Sequence, residues 1–444
     1  MKRLLILLVV LSMGSFVVLF PPPSSQSHIP EVAEPNDQVA FARVVHCPWL
    51  RADGAIGTEL IMAADRPFEA TVSVPWAGEV VAQRAVGGMP FGVLSTIDLL
   101  GDTLIPSHIS AIVEFSGEAS GAVVMGNGEG VLASIACAPT GPAVWQLAGG
   151  STLTGMDLEL RLFNPFPQDA VVAIRVMSEN DLEPESTLES LSVRAQSTRV
   201  IDIGSLLDLR QVLAFSITDP AGLVVPSLAQ TSEGGDGAGW TGVASADVWN
   251  FPFTSGGATS GVLVLTNDEP IQASYDIDAY APDGSVSQLW QGVLEPRTVM
   301  EIPVDDLRVL LPDPSVRPFG VRVRADAPIA AFLIGTGPKD TAAMAGLPTA
   351  SQEWIVAGPG GAESNATVWV MNPGQTVATV TLQRSSNDGG LLPAEKFAVP
   401  AGSVFGISTA RGMILEADQP ISVAWIGSNI GTTVYTGGIA LSDA

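Results

Sequence analysis

Three histidines, His28, His46 and His108, are the only side chains of this 444-residue chain that titrate near neutral pH without help. None stands at the spacing of a zinc pair, so metal-assisted hydrolysis has no ligand set. No G-x-S-x-G elbow occurs, and neither His46 nor His108 lies near a nucleophile motif that a Ser-His-Asp triad would use. GNGEG at 126–130 has spaced glycines but follows a hairpin pattern and opens no helix, which argues against a phosphate loop. Two carboxylates across a cleft would hydrolyse a glycoside, yet 46 acidic residues single out no pair. Asp276 and Asp278 share a strand face in DIDAYAPDG, with Asp283 at the turn. Tyr280 stands where a calcium loop needs a third ligand, so the group reads as a solvated face. No catalytic residue, metal or cofactor is expected, and the chain reads as a non-enzyme.

Two cysteines, Cys47 and Cys137, bracket the first folded stretch. In an exported chain they read as a disulfide, the alternative being two buried thiols. Closing a loop of about 90 residues would stabilise by roughly 4–5 kcal/mol. Nine tryptophans raise the possibility of glycan stacking. Trp49, Trp145, Trp249 and Trp354 recur at an interval of about one hundred residues and read as core. Trp425 also lies in a repeated strand. Trp76, Trp240 and Trp290 have no repeat partner and are the candidate ligand contacts. Trp240 stands in SEGGDGAGWTG, which reads as a Gly-rich linker.

A chain this long needs several domains to carry such groups. Hydrophobic residues make up 46% and charged ones 15%, enough apolar surface for buried cores. The 46 glycines and 33 prolines suit short strands joined by tight turns. With 20 basic against 46 acidic residues the formal net charge is −26, which repels phosphate backbones and makes nucleic acid an unsuitable partner.

MKRLLILLVVLSMGSFVVLFPPPSS opens with two positive charges and an uncharged run over residues 4–20, an export signal. As a helix at about 1.5 Å per residue the run extends about 26 Å, just enough for a roughly 30 Å hydrocarbon core. No good small-x-small cleavage site follows, which favours an uncleaved membrane anchor over a cleaved signal. Lys2 and Arg3 keep the N-terminus cytoplasmic and put the bulk outside the cell membrane, or secreted if cleavage occurs. Residues 21–42, rich in proline, read as a stalk.

One template underlies the rest. LRLFNPFPQDAVVAIRV, LVLTNDEPIQASYDIDAY and VWVMNPGQTVATVTLQR each join two alternating strands through an asparagine turn at Asn164, Asn267 and Asn372. RVIDI, VMEIPV and VFGIS supply a middle strand, and ADAPIAAFLIG (325–335) and ADQPISVAWIG (417–427) a closing hairpin bent at an acidic-proline turn. A divergent first copy places its middle strand at STIDLL (95–100). The expected fold class is all-β, tandem immunoglobulin-like sandwiches after an N-terminal helix. The modules are 43–137, 138–232, 247–340 and 350–444, with 233–246 as linker.

HCPW at 46–49 and ACAPTGPAVW at 136–145, followed by LFNPFPQDAVVAIRV, resemble an uncharacterised family of actinobacterial exported proteins catalogued as a domain of unknown function. Cys137-Ala138-Pro139 is one residue tighter than that family's Cys-x-x-Pro group. The resemblance implies an envelope location and carries no activity. The sequence therefore points to a non-catalytic, structural or interaction component of a bacterial cell envelope, whose partner is an envelope protein or cell-wall polysaccharide. The alternative is a protein that binds or acts on wall glycans through tryptophan-lined grooves.

Overall fold

The computed structural model describes residues 42–441, except 52–56, 102–107, 119, 129–130, 140, 180, 184–187, 234–236, 256–259, 317, 338–339, 358–364, 410–411 and 430–431. The expected anchor at 1–20, and the expected stalk up to residue 41, lie outside the described residues. Among those described, no helix is long and apolar enough to cross a membrane.

The alternating runs form antiparallel strands, and one wiring diagram recurs four times. The first module holds β1 (Arg43–Arg51), β2 (Gly57–Ala64), β3 (Glu69–Trp76), β4 (Glu79–Gly87), β5 (Phe91–Ser95), α1 (Thr96–Leu100), β6 (His108–Phe115), β7 (Ser120–Gly128) and β8 (Val131–Ala136). Its sheets run β1-β6-β3-β4 and β5-β2-β7-β8. The second holds β9 (Val144–Gly150), β10 (Met156–Asn164), β11 (Ala170–Ser178), β12 (Asp181–Glu183), β13 (Leu191–Val193), β14 (Ser197–Asp202), β15 (Leu213–Thr218), β16 (Val225–Ser232) and β17 (Gly237–Thr241). Its sheets, β12-β11-β15-β9 and β14-β10-β16-β17, repeat the pattern.

The third module comprises β18 (Ala246–Phe251), β19 (Ser260–Asn267), β20 (Ala273–Tyr280), β21 (Val286–Leu294), β22 (Thr298–Pro303), α2 (Val304–Arg308), β23 (Gly320–Gly337) and β24 (Asp340–Ala345). The fourth comprises β25 (Ser351–Val356), β26 (Asn365–Asn372), β27 (Ala378–Arg384), β28 (Glu395–Val399), β29 (Ser403–Thr409), β30 (Met413–Asn429), β31 (Thr432–Gly437) and β32 (Ile439–Ala440).

The expected closing hairpin is instead one long strand. In β23, Ala325 pairs with Tyr275 in one sheet and Ala330 with Thr266 in the other; in β30, Ala417 pairs with Val380 and Ser422 with Met371. Proline sits at the crossing, where a missing N–H leaves no ladder bond unmade. The acid just before it has its own task. Asp326 accepts the backbone N–H of Ser274 at 2.7 Å, and Asp418 that of Thr379 at 2.7 Å, each fastening the neighbouring strand's start.

Two further expectations change. STIDLL is not a strand: β5 ends at Ser95, whose hydroxyl accepts from the Asp98 N–H at 3.0 Å and caps α1. Trp49 does not occupy the position of the other repeated tryptophans. Backbone bridges join His46 to Ala138, Gln146 to Val243 and Asn250 to Leu347, so the residue preceding the bridge is Val45 in the first copy and Trp145 and Trp249 in the next two. In the first module the second strand pairs with the fifth and the third with the sixth, while the first strand joins the sixth and the seventh joins the second, so the first and seventh strands lie in different sheets.

Four strands then meet on one axis. β8 packs on β17, β17 on β24, β24 on β31, and β31 back on β8. The expected linker 233–246 supplies one of them, β17, and its small residues are what the axis requires: GAGWT and DTAAMA let backbones approach closely. The cores merge accordingly. The first module keeps its own cluster, while the second and third share one that also takes in Ala424, Ile426 and Tyr435 of the fourth. Arg175 and Ser216 of the second module both bond Asp268 of the third, the serine at 2.6 Å. Ala63 and Phe91 of the first module pack with Ile355 and Ile414 of the fourth, closing the circle.

Candidate axial site

Where each axial strand exits towards the next module, the four exits line a half-open cavity of about 550 Å³. Its wall is drawn from all four modules, with Trp145, Trp240, Trp249, Met344 and Tyr435 as its largest side chains. Glycine, alanine, proline, serine and threonine make up most of the remainder, and among the described lining residues none carries a charge. Three of the hydroxyls there are engaged: Thr241 donates to the Ala136 carbonyl at 2.7 Å, Thr436 donates to the Tyr435 carbonyl at 2.8 Å, and Ser134 bonds Thr436.

Three indoles line the cavity and differ in one respect. Trp240 donates to the Ala148 carbonyl at 3.0 Å and Trp249 to the Ile329 carbonyl at 2.9 Å. The N–H of Trp145, a residue 3% exposed, meets no acceptor among the described residues. Gly141 covers that edge of the ring; a side chain there would collide with Cζ2 and Cε2 of Trp145.

Cys47 and Cys137 are bonded to each other, with Cα atoms 4.3 Å apart. Cys137 lines the cavity, so the bond ties β1 to its wall. His46, next to Cys47, is buried against Phe163 and Phe166 of the second module. Burial lowers its pKa from 6.5 to about 4, against the smaller upward pull of a backbone hydrogen bond with Ala138.

The three candidate contact tryptophans are not brought together. Trp240, expected in an exposed linker, is 2% exposed and faces the axis, because its segment is a strand packed on both sides. Trp290 lies on β21, an end strand of its sheet, 43% exposed, with its indole bonded to the Tyr275 hydroxyl. Trp76 is half-buried at the end of β3. Asp278 is paired with Arg324 at 2.8 Å and Asp276 accepts from Gln291 at 2.8 Å, so neither waits for calcium. Among the described residues no cluster of three or more His, Cys, Asp or Glu could hold a metal.

Sequence reasoning took Trp145 and Trp249 as core and missed that they also face a cavity. The available signal was the Gly/Ala-rich segment preceding each, AGWTGVASADVW for example.

Fold and cavity together define a class: an all-β protein of repeated double-sheet modules gathered about an apolar axial site. The chain belongs to a family of unknown function (DUF5719), whose profile matches residues 113–404, more than half of its length. No curated protein matches it. A solved structure described as "Crystal Structure of Thermotoga maritima 1070" is similar at 18% identity and a TM-score of 0.20, over 23% of this chain and 94% of that one.

Proposed function

We propose that the protein is an exported, non-catalytic interaction or structural component of an actinobacterial cell envelope, held through residues 4–20 or released if that segment is cleaved. Its modules are then immunoglobulin-like sandwiches. The observation that carries this reading is the cyclic packing of β8, β17, β24 and β31. Four modules locked to one another hold their outer sheets at fixed orientations, which suits display to a partner. The Cys47–Cys137 bond fits an oxidising compartment. Crosslinking on intact cells tests the proposal. Capture of an envelope protein, with the chain in the membrane or wall fraction, is expected; release of soluble product from purified wall polysaccharide would overturn the non-catalytic reading.

A glycan-binding reading is favoured by one observation, the exposed indole of Trp290. It requires retention on wall polysaccharide that falls away in Trp290→Ala or Trp76→Ala. Trp240 cannot serve as a surface contact in that experiment because it is buried.

A further inference from the structure

The geometry points to the axial cavity as a binding site for a neutral, largely apolar small molecule. This is independent of the envelope proposal and would hold in any compartment.

Size comes first. A space of about 550 Å³ falls in the range of small-molecule sites. At about 30 Å³ per heavy atom it admits at most about 18 of them. Chemistry narrows the class. With no charged residue among the described residues of the wall, an ionised ligand would lose hydration and find no counter-charge there. A free sugar would bring many hydroxyls to a wall where Ser134, Thr241 and Thr436 are already bonded. Indole, phenol and thioether surfaces suit an aromatic or branched apolar body instead.

One polar group is left over. Two of the three wall indoles give their N–H to backbone carbonyls, whereas the Trp145 N–H has no acceptor among the described residues. That nitrogen is closed off beneath Gly141 rather than open to the cavity, so the wall offers a ligand no free indole N–H and asks no polar group of it. Because the wall comes from all four modules, the site exists only while the circle is closed.

The probe is 6-propionyl-2-dimethylaminonaphthalene, a neutral ketone whose emission shifts to the blue in apolar surroundings, titrated into the folded chain. One saturable site per chain is expected, with 2-naphthoate, a charged ring of similar width, failing to compete. Trp145→Phe, which keeps an aromatic ring and removes a donor that the cavity does not reach, should leave the affinity unchanged. Ala345→Phe, or Ser245→Leu from a different strand exit, should abolish it by filling the space while the melting curve stays cooperative. Absence of saturable binding to the unmodified chain overturns the proposal, whatever the variants do. So does equal binding of 2-naphthoate, or an affinity unchanged in the filling variants.

Discussion

The indole nitrogen of Trp354 donates to the carbonyl oxygen of Ile421 at 2.9 Å. Trp249 stands in the same relation to Ile329, also at 2.9 Å, and both isoleucines follow the proline at which a long strand changes sheets. The bend and the tryptophan that braces it are therefore one repeated joint. Trp145 is different, since its N–H holds no described acceptor. Replacing Trp354 by Phe should cost about 1–3 kcal/mol by leaving a buried carbonyl short of a donor, and Trp145→Phe distinctly less. Urea midpoints of the two variants measure this, and equal midpoints would contradict it.

The repeated asparagines explain themselves in the same way. Asn372 is fully buried, and its amide donates to the carbonyls of Thr376 at 2.8 Å, Val399 at 3.1 Å and Pro400 at 3.1 Å while its oxygen accepts from the Gly374 N–H at 3.0 Å. Asn267 repeats the arrangement with Ile271, Leu294, Glu295 and Glu269. Asn372→Asp would aim a carboxylate at three carbonyl oxygens. A loss of about 3–5 kcal/mol is expected, larger than for Asn372→Ala, and the order of the two thermal midpoints is the check.

His46 makes stability depend on acid. Its pKa in the folded chain is about 4, below the 6.5 of the free side chain. Between these values the unfolded chain takes up a proton that the folded one refuses, so stability falls as pH drops through that window and levels off below it. The difference is worth about 3 kcal/mol. His46→Gln, the residue found at the equivalent bridge in the second module, removes this slope. Denaturation at pH 7, 5 and 4 with and without the substitution isolates the term from the titration of the many carboxylates.

Reducing the Cys47–Cys137 bond opens a loop whose ends are 90 residues apart. The expected loss is about 4–5 kcal/mol, concentrated in the first module. Hydrogen exchange after reduction should accelerate at Val113 and Val124, in that module's core, well before it does at Val323 in the third. Uniform acceleration would show instead that the first module unfolds only with the rest.

The strands with clear alternation were legible from sequence, because β11, β20 and β27 begin with buried residues alternating with exposed or half-buried ones and so write period two into the chain. The axial strands were not. GAGWT and TTVYTG are surrounded on several sides, carry small residues for close approach, and alternate in nothing. Composition therefore made β17 read as a linker and Trp240 as exposed. Trp49 misled for another reason: equal spacing along a chain does not survive a register shift, and β1 has one between Cys47 and Leu50. The cavity was hidden because its wall is assembled from four segments that only the closed arrangement brings together.

The contact of β31 with β8 gives the protein an arithmetic that an open stack lacks. A solenoid accepts one more duplication at either end and merely grows longer. Here a fifth copy would find its docking face taken, and a third-copy deletion would leave two faces bare. Copy number is thereby fixed by geometry, and relatives should gain or lose loops far more readily than whole repeats.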